Sequence, residues 1–222
     1  RERERLLSVL TFSFPAMESA GAAEGQHGVT EGTYTLVYHG AMKTFLGRGY
    51  APLMLLEEAK AKSAAVNFEC KTPAEAPVPV TFAPPMIITP SGAKISQTPA
   101  VMMVLGKELG MWPAGLANDA KAMQLCLDAS DLLSDGLAKK DKERIEKWYT
   151  LFGKALEAGG GKFLFGTALT AVDYQLLSCI ILVQGVYTEA SMPDNLSAWL
   201  TLMKEQTGFK QVDALGLPMM PS

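Results

Sequence analysis

The sequence predicts a small α/β domain with a mixed four-stranded sheet, followed by an all-α domain. Three observations carry this. Up to Gly110 the pattern runs strand, helix, strand, loop, strand, strand, helix. From Asp119 onward the periodicity is helical almost throughout. Between them, Gly106 to Asn118 breaks both periods with Gly and Pro and reads as a connection. The expected organisation is a non-domain leader over 1–32, an α/β domain over 33–107, a linker over 108–117 and a helical domain over 118–222.

The leader opens on an Arg/Glu repeat, then an apolar run and a Gly- and Ala-rich stretch. It faintly resembles a signal peptide, but Glu2 and Glu4 spoil the basic start. Met17 is an alternative start, and the segment is expected to be poorly ordered. Tyr34–Tyr38 is the first strand by β-propensity. Gly49–Lys62 reads as a helix, with Pro52 in a first turn that tolerates the missing N–H. Ala64–Cys70 is a second strand, parallel to the first through a right-handed crossover. Thr72–Pro79 is a proline-rich loop. Met86–Ile88 and Ala93–Ile95 form a hairpin around Pro90-Ser91-Gly92, adding antiparallel strands. A helix with Pro99 near its first turn follows, its apolar face made by Val101, Val104, Leu105 and Leu109. A hairpin leading polar side chains onto a helix N-terminus is a candidate anion site or plain structure.

In the second half, Asp119–Leu137 and Lys142–Ala158 are amphipathic helices, the latter ended by Gly159-Gly160-Gly161. That run imitates a phosphate loop, but Lys162 is followed by Phe163 and the run follows a helix. Thr170–Tyr187 is apolar enough to sit at the centre of its domain, and Thr170 with Asp173 reads as a capping box. Asn195–Gln206 is a last helix, and the stretch from Ala214 shows no period.

Composition narrows the function. Hydrophobic residues make up 48% and charged residues 19%, enough for a real core. Net charge is −3, with no basic stripe, which argues against nucleic acid. Cys70, Cys126 and Cys179 are scattered, and with two histidines they suggest neither a metal site nor a disulfide framework. No apolar stretch reaches the roughly 18 residues of a membrane span.

Three patches give the chain a resemblance to the soluble glutathione transferases, over about 34–212. Tyr38 ends the first strand and Gly47-Arg48-Gly49 opens the helix. Pro84-Pro85 precedes a strand, and Gln97-Thr98 follows the hairpin. Phe165 to Asp173 is similar to the family's Gly-x-x-Leu-Ser/Thr-x-Ala-Asp signature, with Val172 in place of Ala. The resemblance implies a thioredoxin-like glutathione-binding domain, a helical domain, a tyrosine-type site and a cytoplasmic homodimer working in detoxification. It implies glutathione as co-substrate, no metal, and a small hydrophobic electrophile as second substrate. Tyr38 is then the hydroxyl donor to the thiolate; by residue type alone it is a strand-end Tyr that packs. Thr44 is the runner-up donor, and His39 reads as a solvated loop residue. Arg48 contacts the site or the tripeptide's glycyl end, or is an exposed charge. A cis bond is expected before Pro85, with Met86 offering its backbone to the cysteinyl part. Gln97 and Thr98 grip the γ-glutamyl end, with Thr98 also a helix cap. Met123 and Leu127 line the electrophile pocket or belong to the core. Asp135 reaches a neighbouring subunit's ligand or is a surface residue.

Two departures from the family pattern stand out: Gly47 lies nine positions after Tyr38, and Leu53 and Met54 stand where members carry a cation. They keep a second reading open, a non-catalytic binding or structural protein of the same fold.

Overall fold

The computed structural model describes residues 29–221; the expected leader lies almost wholly outside them. The α/β part consists of β1 (Gly32–Val37), α1 (Tyr50–Lys62), β2 (Val66–Lys71), β3 (Met86–Ile88), β4 (Lys94–Ser96) and α2 (Thr98–Glu108). The sheet order is β2-β1-β3-β4. β1 runs parallel to β2 from Gly32 opposite Val66 to Val37 opposite Lys71, and antiparallel to β3 with Val37 opposite Met86. The hairpin sets Ile87 opposite Ile95. This is the mixed sheet that β-α-β followed by a hairpin requires.

The helical part consists of α3 (Leu116–Leu137), α4 (Lys142–Gly159), α5 (Ala171–Gln184), α6 (Asp194–Lys204) and α7 (Thr207–Asp213). Among the described residues no helix is long and apolar enough to cross a membrane. α2 runs on to Glu108 and α3 starts at Leu116, so both helices extend into the Gly/Pro-marked break. Gly106 lies inside α2, where the backbone packs so close to Trp112 and Ala171 that a Cβ would come within 3.0 Å of both. The triple glycine ends α4, with Gly160 in the left-handed conformation (φ 67°) that a helix terminus favours.

α7 is an element the periodicity did not reveal. Seven residues are fewer than two helical turns, too short for a pattern. It is held from outside: a Cβ on Gly208 would meet the Met54 carbonyl oxygen of α1 at 2.2 Å.

The larger of two hydrophobic clusters among the described residues runs through both parts, from Tyr34 and Leu36 of β1 through Leu55 and Leu56 of α1 to Leu177 and Ile180 of α5. α5 is buried on nearly all sides, as its composition requires. Its start is fixed by the Thr170/Asp173 capping box. Asp173 is fully buried and accepts from Leu164 N at 3.0 Å, Thr170 N at 3.0 Å, the Thr170 hydroxyl at 2.7 Å and Trp199 Nε1 at 3.3 Å. Burial pushes its carboxyl upward against those donors. Leu53 and Met54, at the positions where a cation was missed, are 3% and 0% exposed core residues.

Candidate functional site

Tyr38 leaves the edge of β1, its N–H still donating to the Lys71 carbonyl at 2.9 Å. The chain then makes a left-handed turn: Gly40, Ala41 and Met42 have φ of 56°, 50° and 59°. Left-handed backbone costs a non-glycine residue about 1–2 kcal/mol, so Ala41 and Met42 need outside support. Met42 supplies it by burying its side chain (4% exposed) so close to Gly49 that a Cβ there would lie 2.5 Å from its sulfur. This is how the long connection to Gly47 is accommodated.

The turn Gly47–Gly49 then brings the Arg48 N–H to the Tyr38 hydroxyl oxygen at 2.9 Å. Gly47 must be glycine twice over: φ is +46°, and a Cβ would lie 2.3 Å from the phenol oxygen. Burial raises the phenol's pKa above its ordinary value, against the Arg48 and Gly49 N–H groups and the Arg48 charge. The hydroxyl therefore keeps its proton at neutral pH. It accepts from Arg48, and its own proton has no acceptor among the described residues.

A cavity of about 470 Å³ opens where the two parts of the chain meet, within the usual range for small-molecule sites. The α/β part contributes Tyr38, Arg48, Pro85, Gln97 and Thr98. The Pro84–Pro85 bond is cis. Gln97 (φ 72°) caps α2 by position, with no side-chain capping bond, so Thr98 is not the cap. Both therefore stand at a helix N-terminus, where partial positive charge favours an anion. His39 and Phe45 stack at 6.1 Å and flank Tyr38, and both line the cavity.

Several expected residues fall elsewhere. Met86, next to the cis bond, does not line the cavity; its side chain (2% exposed) packs with Val37, Ala76 and Val78. Thr44 is exposed, lies against Gly40 and is not a lining residue. Met123 and Leu127 do not line this cavity: the lining on α3 is Leu133 and Leu137, and Leu127 is 51% exposed. Ten residues from Met123 to Leu133 are about 15 Å of helix, a distance that periodicity along one helix does not resolve. Asp135 is neither free nor turned outward: its Oδ2 accepts from Arg144 Nε and Trp148 Nε1, both at 2.7 Å, on the neighbouring α4. The Trp148 and Arg144 bonds hold its carboxyl below the usual range.

Two contributors have no precedent in the sequence pattern. Met220 and Pro221 line the cavity. They are placed there by a pair of backbone bonds, Leu46 N to Pro218 O at 2.9 Å and Gly47 N to Met219 O at 2.8 Å. Leu182 of α5 completes the apolar side.

The family model described as the glutathione S-transferase C-terminal domain matches residues 130–211. None of the curated protein sequences matches the chain. Solved structures share the fold. A glutathione S-transferase from Actinobacillus pleuropneumoniae is 16% identical, with TM-score 0.63, covering 84% of this chain and 94% of that one. One from Ascaris lumbricoides is 19% identical, with TM-score 0.61, covering 86% and 100%. Prostaglandin synthase D of Nilaparvata lugens is 16% identical, with TM-score 0.60, covering 82% and 98%.

Proposed function

We propose that this chain, which is similar over residues 130–211 to the glutathione S-transferase C-terminal domain and shares the fold of solved glutathione S-transferases, is a glutathione transferase, joining the glutathione thiolate to a small hydrophobic electrophile. The observation that carries the proposal is the Tyr38 hydroxyl: protonated, held by the Arg48 N–H at 2.9 Å, and lining the same cavity as Arg48, Pro85, Gln97 and Thr98. The thiolate is the nucleophile, and a free thiol ionises near pH 8.5. Each unit of lowering needs about 1.4 kcal/mol of preference for the anion. A hydroxyl donor in a site sheltered from water supplies an interaction of that size. Sulfur then bonds to the electrophilic carbon, whose leaving group departs or whose π electrons move onto an acceptor atom; the thiol proton goes to solvent.

In this reading Gln97 and Thr98, at the α2 N-terminus, take the γ-glutamyl end. The backbone of Met86 beside Pro85 takes the cysteinyl part. The electrophile lies against Leu133, Leu137, Leu182 and Met220. The α/β part is the thioredoxin-like glutathione-binding domain. Detoxification by a cytoplasmic homodimer is the setting this reading implies, and sedimentation reads the oligomeric state directly.

Retention on glutathione-agarose and turnover of an aryl halide test the proposal. Tyr38→Phe is expected to lower kcat/KM by about 10- to 100-fold, the loss of one hydroxyl donor, while retention persists. Unchanged turnover removes Tyr38 from the donor role. One observation favours a second reading, a non-catalytic protein of the same fold: Tyr38 is 4% exposed, beneath the Gly47 turn. Under that reading the wild type turns over no electrophile, and Tyr38→Phe changes nothing.

A further inference from the structure

A second cavity, of about 10 Å³, adjoins the first; Arg48 and Thr98 line both. Its other polar walls are Ser130 of α3 and Gln175, Ser178 and Cys179 of α5. Gln175 is 2% exposed. Its Nε2 donates to Ser130 Oγ at 3.4 Å and Cys179 Sγ at 3.6 Å. The Ser178 hydroxyl donates to the Gln175 main-chain carbonyl at 2.9 Å. Gln175 Oε1 is left: it is buried and has no partner among the described residues. Such a group is costly unless something uses it.

Arg48, an exposed residue, lines that cavity too. Its guanidinium has five N–H donors and accepts nothing, and no carboxylate pairs with it among the described residues. Burial pushes the Cys179 thiol up to about 12, with the Arg48 charge among the influences opposing it, and the same charge acts on the Tyr38 phenol. A cavity of this size takes one water, which needs two or more polar partners.

We propose that Gln175 is a positioning residue for Arg48: its Oε1 accepts from the guanidinium through one bridging water in the small cavity, holding the cation of the α/β part at the Tyr38 end of the large one. The bond stands on the orphan oxygen and the shared cavity. Its functional consequence rests on the glutathione reading. A cation fixed within about 4–6 Å of the sulfur favours the thiolate, whereas an exposed arginine swinging in water is screened.

The bond is read without ligand. In the ¹⁵N-labelled full chain, the Arg48 Nε–H exchanges with water about tenfold more slowly than in free arginine, the protection expected of one charged-group hydrogen bond. Gln175→Leu removes that protection; Gln175→Glu, which keeps an acceptor, retains it. Equal exchange in wild type and Gln175→Leu overturns the proposal. Should the Leu variant fail to fold, Gln175→Met gives the same comparison. The consequence is read by titrating the thiol of bound glutathione. Gln175→Leu lowers the thiolate fraction at neutral pH about threefold, a fraction of a pKa unit, with KM for the electrophile unchanged. It adds nothing in an Arg48→Leu background. A full additional loss there means Gln175 acts by another route, which also overturns the proposal. If the wild type binds no glutathione, the transferase reading fails, and the exchange measurement alone decides the Arg48–Gln175 contact.

Discussion

Two neighbouring residues of α5 send polar groups toward the α/β part, with opposite outcomes. Tyr174 donates to Glu58 of α1 at 2.9 Å, and the same carboxylate accepts from Gly208 N of α7 at 2.8 Å and pairs with Lys62 at 3.1 Å. Glu58 is 5% exposed with every neighbour committed to it. One position on, about 100° around the helix, Gln175 buries an oxygen that nothing in the described chain satisfies. A fully satisfied buried network rigidifies and locks elements together; a partly satisfied one is costly unless a function uses it. The first crossing fastens α1, α5 and α7. The second lines the small cavity that Arg48 shares, beside the large one that Tyr38 lines.

The contrast breaks most visibly at Gly208. Gly208→Ala drives a Cβ to 2.2 Å from the Met54 carbonyl and 2.8 Å from the Tyr174 hydroxyl. Overpacking against backbone should cost about 3 kcal/mol, read by urea unfolding; a cost below about 1 kcal/mol would mean α7 moves aside and the fastening is loose.

Glu58→Gln is the next largest. It keeps an acceptor for Tyr174 and Gly208 but loses the charge, with an expected cost of about 1.5 kcal/mol near neutral pH. Burial raises the Glu58 carboxyl, but Gly208, Tyr174 and Lys62 outweigh it and the net shift is downward. A depressed carboxyl contributes stability above its unfolded pKa, about 4.3, and loses it as pH falls through the folded value. The difference between wild type and variant should therefore be full at pH 7 and shrink in acid. A difference that grows in acid would reverse the assignment.

Gln175→Leu should be the smallest, within about 1 kcal/mol of wild type, because the oxygen has no direct protein partner to lose and only the long amide contacts to Ser130 and Cys179 go with it. A cost matching that of Glu58→Gln would erase the distinction between the two crossings.

Much of this was legible because it is local. Thr170 and Asp173 are three apart, and a capping box needs nothing else to be recognised. The β-propensity of Tyr34–Tyr38, the Pro-Pro pair before β3 and the Gly-Arg-Gly turn are likewise written in short stretches. Tyr38, Arg48, Pro85, Gln97 and Thr98, named from separate patches, line one cavity. Where the structure departs from the sequence reading, the deciding contact is distant in sequence. Met123 and Leu127 carry the same apolar signal as Leu133 and Leu137; which turn of α3 faces the cavity depends on how that helix packs against its neighbours. Met220 and Pro221 reach the site only because Pro218 and Met219 bond Leu46 and Gly47. Gln175 did leave a trace, as an amide among the mostly apolar residues of α5, but the trace does not say that its oxygen lacks a direct partner.

From sequence alone, the protein's layered order is determined: a mixed sheet first, helices after, one helix apolar enough to be central, and a tyrosine and an arginine ten positions apart at the first turn. Periodicity, propensity and turn chemistry act over a few residues, so a chain read in order displays them. The tertiary structure alone decided that Tyr38 and Arg48 are bonded, that α7 exists, and that a glutamine of α5 shares a cavity with an arginine 127 positions earlier. Those outcomes follow from close packing and from the pairing of buried polar groups. Both act between side chains wherever the fold brings them together.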